Sequence, residues 1–340
     1  QALRTDFRSV LKPFYRVLET MDDYIRFVLI TGVTEFGRIN VFDDLHQMED
    51  ITLDDRYAEI CGFTEQEIQA NLEASLREFA LKQDWNYEKT CHELGHWYDG
   101  YHFSGHSAGV YNPFGFLIVL SHQRIESNWC ATGTPSYLVE LLKRWDCNLY
   151  DLFHARVHAK GLLDVDLDSP HPIPVIYQSG YLTIKAYDPE FGVYTLGFPN
   201  REVEQGFVGY LLPHYSSDKR VDSAVESCRL VQSVWRGGVD AFLERLQSFF
   251  ADTPYELARD LELHYQNVLF IVFRLVGLYT QVEYHTNRGR IDLVLKTDRY
   301  IYIMEFKLDG TAEEALRQIE EKGYADPFAH DGREVIRGGG

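Results

Sequence analysis

The stretch from Glu283 to Lys307 constrains this chain most. It contains two short apolar runs, Ile291–Leu295 and Tyr300–Phe306, each broken by a single acid, Asp292 and Glu305. Arg288-Gly-Arg290 forms a Gly-containing bend before the first run, and a polar turn, Lys-Thr-Asp-Arg, separates the two. This pattern predicts two strands. Alternation along a strand puts residues i and i+2 on one face, so Glu305 and Lys307 share a face and Phe306 points to the other, into the core. If the strands are neighbours, Asp292 stands beside that pair. Two carboxylates close together suit a hard divalent cation such as Mg²⁺ or Mn²⁺. Such a cation polarises a phosphoryl oxygen and acidifies a bound water. The Lys307 ammonium would orient that water. A solvated amphipathic hairpin is the plainer reading, but it leaves charges interrupting buried runs, where unpaired charge is costly.

Gly289-Arg-Ile-Asp292 followed by Ile303-Met-Glu-Phe-Lys307 resembles the Asp…Glu-x-Lys core of the PD-(D/E)XK nuclease superfamily. The resemblance implies a restriction-endonuclease-like α/β domain over residues 236–340, with Asp292 and Glu305 as metal ligands and Lys307 as a catalytic residue. Glu283, on the strand before the bend, could reach the metal. Arg288 and Arg290 would contact phosphate, since the guanidinium fork matches phosphate oxygens. After Lys307, Thr311-Ala-Glu-Glu314 reads as a capping box opening a helix. In the family that helix resembles Gln-Ile-x-x-x-x-Tyr, placing Gln318 and Tyr324 beside the active site. Tyr255–Gly277 is a long apolar helix, on which Glu262, or Glu256, could add a further acid.

A second resemblance widens the reading to nearly the whole chain. Arg26-Phe-Val-Leu-Ile-Thr-Gly-Val-Thr-Glu-Phe36 and Asp44-Leu-His-Gln-Met-Glu-Asp-Ile-Thr52 are similar to the AAA-ATPase-like part of a large bacterial family in which that part precedes a PD-(D/E)XK domain. Ile25–Val33 is read as a strand buried on both faces, as in a parallel sheet. Thr31 and Thr34 sit at its end, where α/β folds bind their ligands, and are the candidates for a nucleotide site. No Gly-x-x-x-x-Gly-Lys-Ser/Thr loop occurs, so ATP binding is expected only together with a region before residue 1. The opening Gln1 and closing Gly338-Gly-Gly340 read as the ends of a fragment.

The resulting expectation is a mixed α/β chain in three parts. Residues 1–150 would be a partial AAA-like core with a helical lid, residues 151–235 a winged-helix-like connector, and residues 236–340 the nuclease-like domain. Within the first part, Leu3–Leu18 has helical spacing, Thr52-Leu-Asp-Asp55 and Thr64-Glu-Gln-Glu67 open helices, and Asn112-Pro113 starts another. Within the connector, Pro170-His-Pro-Ile-Pro174 reads as a linker, and Val175–Ile184 and Val193–Pro199 as strands flanking the turn Tyr187–Glu190.

His92-Glu93-Leu-Gly-His96, with His102 six residues on, competes with this reading. On a helix it would place two imidazoles on one face for zinc, with Glu93 as general base. Against that zinc hydrolase, position 99 is Asp where the longer metal motif has Gly, no Met follows closely, and Trp97-Tyr-Asp-Gly-Tyr-His-Phe103 is similar to a turn after a helix in the ATPase-like family.

Charge and cysteines set outer limits. The chain carries a net charge of -19, and residues 281–340 hold nine Lys/Arg against twelve Asp/Glu. A DNA- or RNA-cleaving role would therefore rest on local arginines and bound metal rather than on a basic face. The acidity also keeps open a non-catalytic regulatory or interaction protein that uses the nuclease fold as a scaffold. Five cysteines without a Cys-x-x-Cys pair fit free thiols in a reducing cytoplasm. No apolar run reaches membrane-spanning length. Ring formation by AAA-type proteins makes a homo-oligomer a further expectation.

Overall fold

A computed structural model describes Pro13, Val17 and residues 20–32, 49–127, 136–165, 171–215, 222–250, 261–277, 281–287, 290–307 and 310–339. The chain divides into two compact units. Residues 1–145 and 151–204 form the first, and residues 146–150 and 205–340 the second.

Among the described residues of the first unit, a helical core is built by α1 (Glu65–Gln83), α2 (Tyr87–Tyr98) and α3 (Pro113–His122). The start of α1 follows from the capping box expected there. The Thr64 hydroxyl accepts from the Glu67 amide at 3.2 Å, and the Glu67 carboxylate accepts from the Thr64 amide at 2.9 Å. Two of the orphan donors that every helix start exposes are thereby satisfied. Asn112 caps α3 and Pro113 occupies its first turn, where a missing N–H costs nothing. Ile68, Leu76 and Phe79 of α1, Leu94 and Tyr98 of α2, and Phe116 and Val119 of α3 then close a common core.

Further along, α4 (Ser136–Arg144) buries Leu138, Val139, Leu141 and Leu142, while α5 (Leu149–Phe153) lies across the border of the two units. Next come β1 (Arg156–His158), α6 (Ala159–Leu163), α7 (Pro172–Gln178), β2 (Thr183–Asp188), β3 (Val193–Gly197) and α8 (Arg201–Tyr215). The three strands form an antiparallel sheet in the order β1-β3-β2. The tight turn between β2 and β3 forms because the Asp188 carboxylate accepts from the Glu190 and Phe191 amides.

Three expectations in this unit fail for identifiable reasons. Pro172-Ile-Pro is not a linker but the first turn of α7, capped by the His171 ring, and the helix runs through residues expected to form a strand. Proline at N1 is pre-set for a helix, and that placement outweighs the β-branched run behind it. Thr52–Asp55 gives a three-residue 3₁₀ turn, Asp55–Tyr57, whose cap is Asp54. Residues 25–32 form no strand, and Phe27 and Leu29 are 79% and 55% exposed. A strand buried on both faces needs paired neighbours, and none pairs with this run among the described residues. The helix over Leu3–Leu18 falls almost wholly outside the described residues, as does Thr34.

In the second unit, α9 (Ser223–Trp235), α10 (Val239–Ser248) and α11 (Leu261–Gly277) precede a four-stranded sheet. Its strands are β4 (Gln281–Asn287), β5 (Arg290–Lys296), β6 (Tyr300–Lys307) and β7 (Glu334–Gly339), hydrogen-bonded in that order. β4, β5 and β6 are antiparallel, whereas β6 and β7 are parallel. The parallel pair requires a crossover, and α12 (Ala312–Glu321) supplies it. The sheet thus extends by one strand on each side beyond the hairpin that the acids mark in the sequence. No helix among the described residues is long and apolar enough to cross a membrane.

Candidate metal and nucleic-acid site

The sheet of the second unit sorts its side chains by parity. Tyr302 and Met304 are buried on one face, and Phe306 of the same face packs its ring 5.8 Å from Phe273 of α11. On the other face Ile301 and Ile303 pack against Ile319 of α12, with Val294, Tyr324, Phe328 and Val335 around them. Glu305 continues this second row toward the end of β6 and is fully buried. Lys307 follows on the same face, half-buried.

Register decides what stands beside Glu305. Asp292 of β5 is its direct antiparallel partner, and Arg290 is the partner of Lys307. Directly opposed positions lie about 5 Å apart at Cβ. The expected adjacency of the two strands is therefore met, with the two acids in one cross-strand pair. Glu283 is the partner of Val294, and the partner of Asp292 on β4 is His285. The turn that sets this register is held by Thr297. Its hydroxyl accepts from the Tyr300 amide at 2.9 Å, and its own amide donates to the Tyr300 carbonyl at 2.9 Å. A one-residue slip would send both acids to the opposite face, so Thr297 indirectly fixes the site.

α12 borders the same face. Its capping box is present, with Thr311 and Glu314 exchanging backbone-to-side-chain bonds at 3.2 Å. The Glu313 carboxyl is held below the usual range by its own amide and by the Thr311 hydroxyl. A methyl on Gly310 would meet Lys307 Cδ at 3.0 Å and Glu314 Oε2 at 3.1 Å. The glycine thus seats the Lys307 stem close to the Glu314 carboxylate. Gln318 is half-buried one residue before the core residue Ile319, and Tyr324 lies within the cluster under β6.

Other expected site residues lie elsewhere. Arg288 and Glu256 are outside the described residues, and Glu262 falls in the first turn of α11. Thr31 is exposed in irregular backbone. The zinc reading is not supported. The His92 side chain is 80% exposed and His96 is exposed on α2, while the His102 ring is engaged with the Ser107 carbonyl at 2.9 Å. Among the described residues no three His, Cys, Asp or Glu side chains are grouped to hold a metal.

Glu314, close to the Lys307 stem, is a neighbour of the candidate site that the sequence did not single out.

Two acids and a lysine thus occupy neighbouring register positions on adjoining strands. Residues 260–339 match the family model of the PD-(D/E)XK nuclease superfamily. The C-terminal part of the chain is a domain of that superfamily. Over 340 residues the chain is also 28% identical to an uncharacterized protein in the vnfD 5' region of Azotobacter chroococcum mcd 1, covering 97% of this chain and 63% of that protein. The chain thus spans less than two thirds of that relative's length. No solved structure matches significantly.

Proposed function

We propose that the PD-(D/E)XK domain hydrolyses phosphodiester bonds of nucleic acid, DNA in the first instance, with Mg²⁺ or Mn²⁺. The observation carrying this reading is the direct register of Asp292 with Glu305, next to the Arg290–Lys307 pair. The donor set fits the ion, since carboxylate oxygens are the preferred ligands of hard divalent cations. Asp292 and Glu305 would hold it, with Glu283 available as a further oxygen donor. A bound divalent ion would supply Lewis acidity at the phosphoryl oxygen and a more acidic water.

The chain's own residues do the rest. Lys307 orients the attacking water and balances charge that develops on the phosphoryl group. Arg290, together with Arg288, grips the neighbouring phosphate through paired N–H donors. Gln318 of α12 and Tyr324, just beyond its end, would flank the approach. The ATPase-like partner region belongs to the same proposal, on the resemblance of residues 26–52. It predicts that ATP binding, at a site including Thr31 and Thr34, needs a longer chain than this one. The zinc alternative at His92, His96 and His102 is set aside on their geometry.

The test is cleavage of end-labelled single- and double-stranded DNA and RNA in Mg²⁺ and in Mn²⁺. Wild type should cut only with metal, Glu305→Ala should not cut, and Lys307→Ala should fall by about 10²-fold or more. A second reading is favoured by the net charge of -19, which opposes nucleic-acid binding. In it the domain is a non-catalytic interaction scaffold. Calorimetry separates the two, because a scaffold has no need of a metal site and Glu305→Ala would then leave the heat of Mn²⁺ addition unchanged.

A further inference from the structure

We propose that Glu314 is a positioning residue for Lys307: its carboxylate draws the ammonium toward the start of α12 and so keeps it off Glu305, leaving that buried carboxylate for the cation. This inference rests on the metal-site reading above. Glu305 is fully buried near the end of β6, and Lys307, half-buried, stands two residues on along the same face. Positions so spaced on a strand are about 7 Å apart, within the span of a lysine side chain. A buried carboxylate beside a flexible ammonium tends to be neutralised by it, because an uncompensated charge inside a protein is costly. A lysine seated on Glu305 would compete with a divalent ion for the same oxygens.

A second carboxylate stands at the Lys307 stem. The point where a Cβ on Gly310 would sit is 3.0 Å from Lys307 Cδ, 3.3 Å from Lys307 Cβ and 3.1 Å from Glu314 Oε2. The stem and the carboxylate therefore flank one small gap, which the glycine leaves open, and Cδ and Oε2 are no more than about 6 Å apart. Glu314 is anchored there by the capping box, in which its carboxylate accepts from the Thr311 amide at 3.2 Å. Its own helix does not neutralise it: Arg317, one turn on, pairs with Glu321 at 3.8 Å. Opposite charges about 6 Å apart still attract in a partly buried setting. Among the described residues no ion pair closes on Lys307, so its ammonium is drawn aside and stays available to a phosphate.

The experiment measures the Mn²⁺ affinity of the full chain by calorimetry, with the melting temperature as the control for folding. Glu314→Gln removes the charge and keeps the cap, because Gln serves that capping position as Glu does. It should melt as wild type does and bind Mn²⁺ about tenfold more weakly. Adding Lys307→Met should restore the affinity, since no ammonium is then left to occupy Glu305, and Lys307→Met alone should bind at least as tightly as wild type. Thr311→Ala weakens the same cap and leaves the charge in place, and should bind Mn²⁺ as wild type does. Wild-type affinity in Glu314→Gln would overturn the role of Glu314. So would a loss that persists in the double variant, or one that Thr311→Ala reproduces. In each of those cases, Mn²⁺ binding that disappears in Glu305→Gln would leave the metal-site reading standing. No Mn²⁺ binding to wild type would overturn both.

Discussion

Glu305 and Lys307 are two residues apart, yet their surroundings differ. Glu305 is sealed in the sheet, whereas Lys307 leans over Gly310 toward the edge. Gly310→Ala would push a methyl into the Lys307 stem and the Glu314 carboxylate. It should slow cleavage about tenfold at nearly unchanged melting temperature, as single-turnover kinetics would show, because loss of positioning raises the barrier without removing a core contact. The cysteines offer a second residue-level test. Burial pushes the Cys147 thiol up to about 11, whereas Cys61 and Cys228 are exposed. Alkylation at pH 8 followed by mass spectrometry should label Cys61 and Cys228 and spare Cys147, since the thiolate is the reactive form. Asp292 and Glu305 stand out in the sequence because each interrupts an apolar run, and Lys307 follows two residues after Glu305. The direct pairing of Asp292 with Glu305 does not, because strand register is not written in local order.

Helix starts were the most legible elements. Thr64 and Thr311 each lead a four-residue box whose bonds are local, so sequence alone suffices to place them. The first box also predicts a pH dependence. The Glu67 carboxyl is held below its ordinary 4.5 by the Thr64 amide and hydroxyl. The folded state therefore binds fewer protons than the unfolded chain in that window. Its contribution is present above about pH 4.5 and is lost as pH falls through the lower folded value. Urea titrations of wild type and Thr64→Ala should differ at pH 7 and draw together below pH 4. Elements that depend on distant partners were less legible: the run at residues 25–32 has strand composition but no paired neighbour among the described residues, and α7 overrides a β-like run with a proline-led start. β7 shows the same dependence from another side. A methyl on Gly339 would come within 2.4 Å of the Ala312 carbonyl oxygen. Gly339→Ala should cost about 1–3 kcal/mol in chemical denaturation, the range for overpacking a closed contact.

At the scale of the whole molecule, the chain passes from one unit to the other three times, and the second unit recruits residues 146–150 from far upstream. That short segment is fastened to α11. The Leu149 amide donates to Asn267 Oδ1 at 2.8 Å, Asn267 Nδ2 donates to the Cys147 carbonyl at 2.9 Å, and Asn148 reaches Gln266 at 2.8 Å. Asn267 is almost fully buried, so losing its partners would strand a polar amide in the interior. On β6, the Tyr302 hydroxyl donates to the Val234 carbonyl of α9, again from outside the stretch that matches the nuclease family. Tyr302→Phe should cost about 1 kcal/mol, the usual worth of one such bond. Residues 260–339 expressed alone should fail to give a cooperative melting transition, whereas the full chain should give one. The recognisable signature and the physical unit that supports it therefore have different edges. Recombination that moved only the signature into another gene would carry the chemistry without its footing, and inheritance of this domain would have to proceed with its upstream neighbours attached.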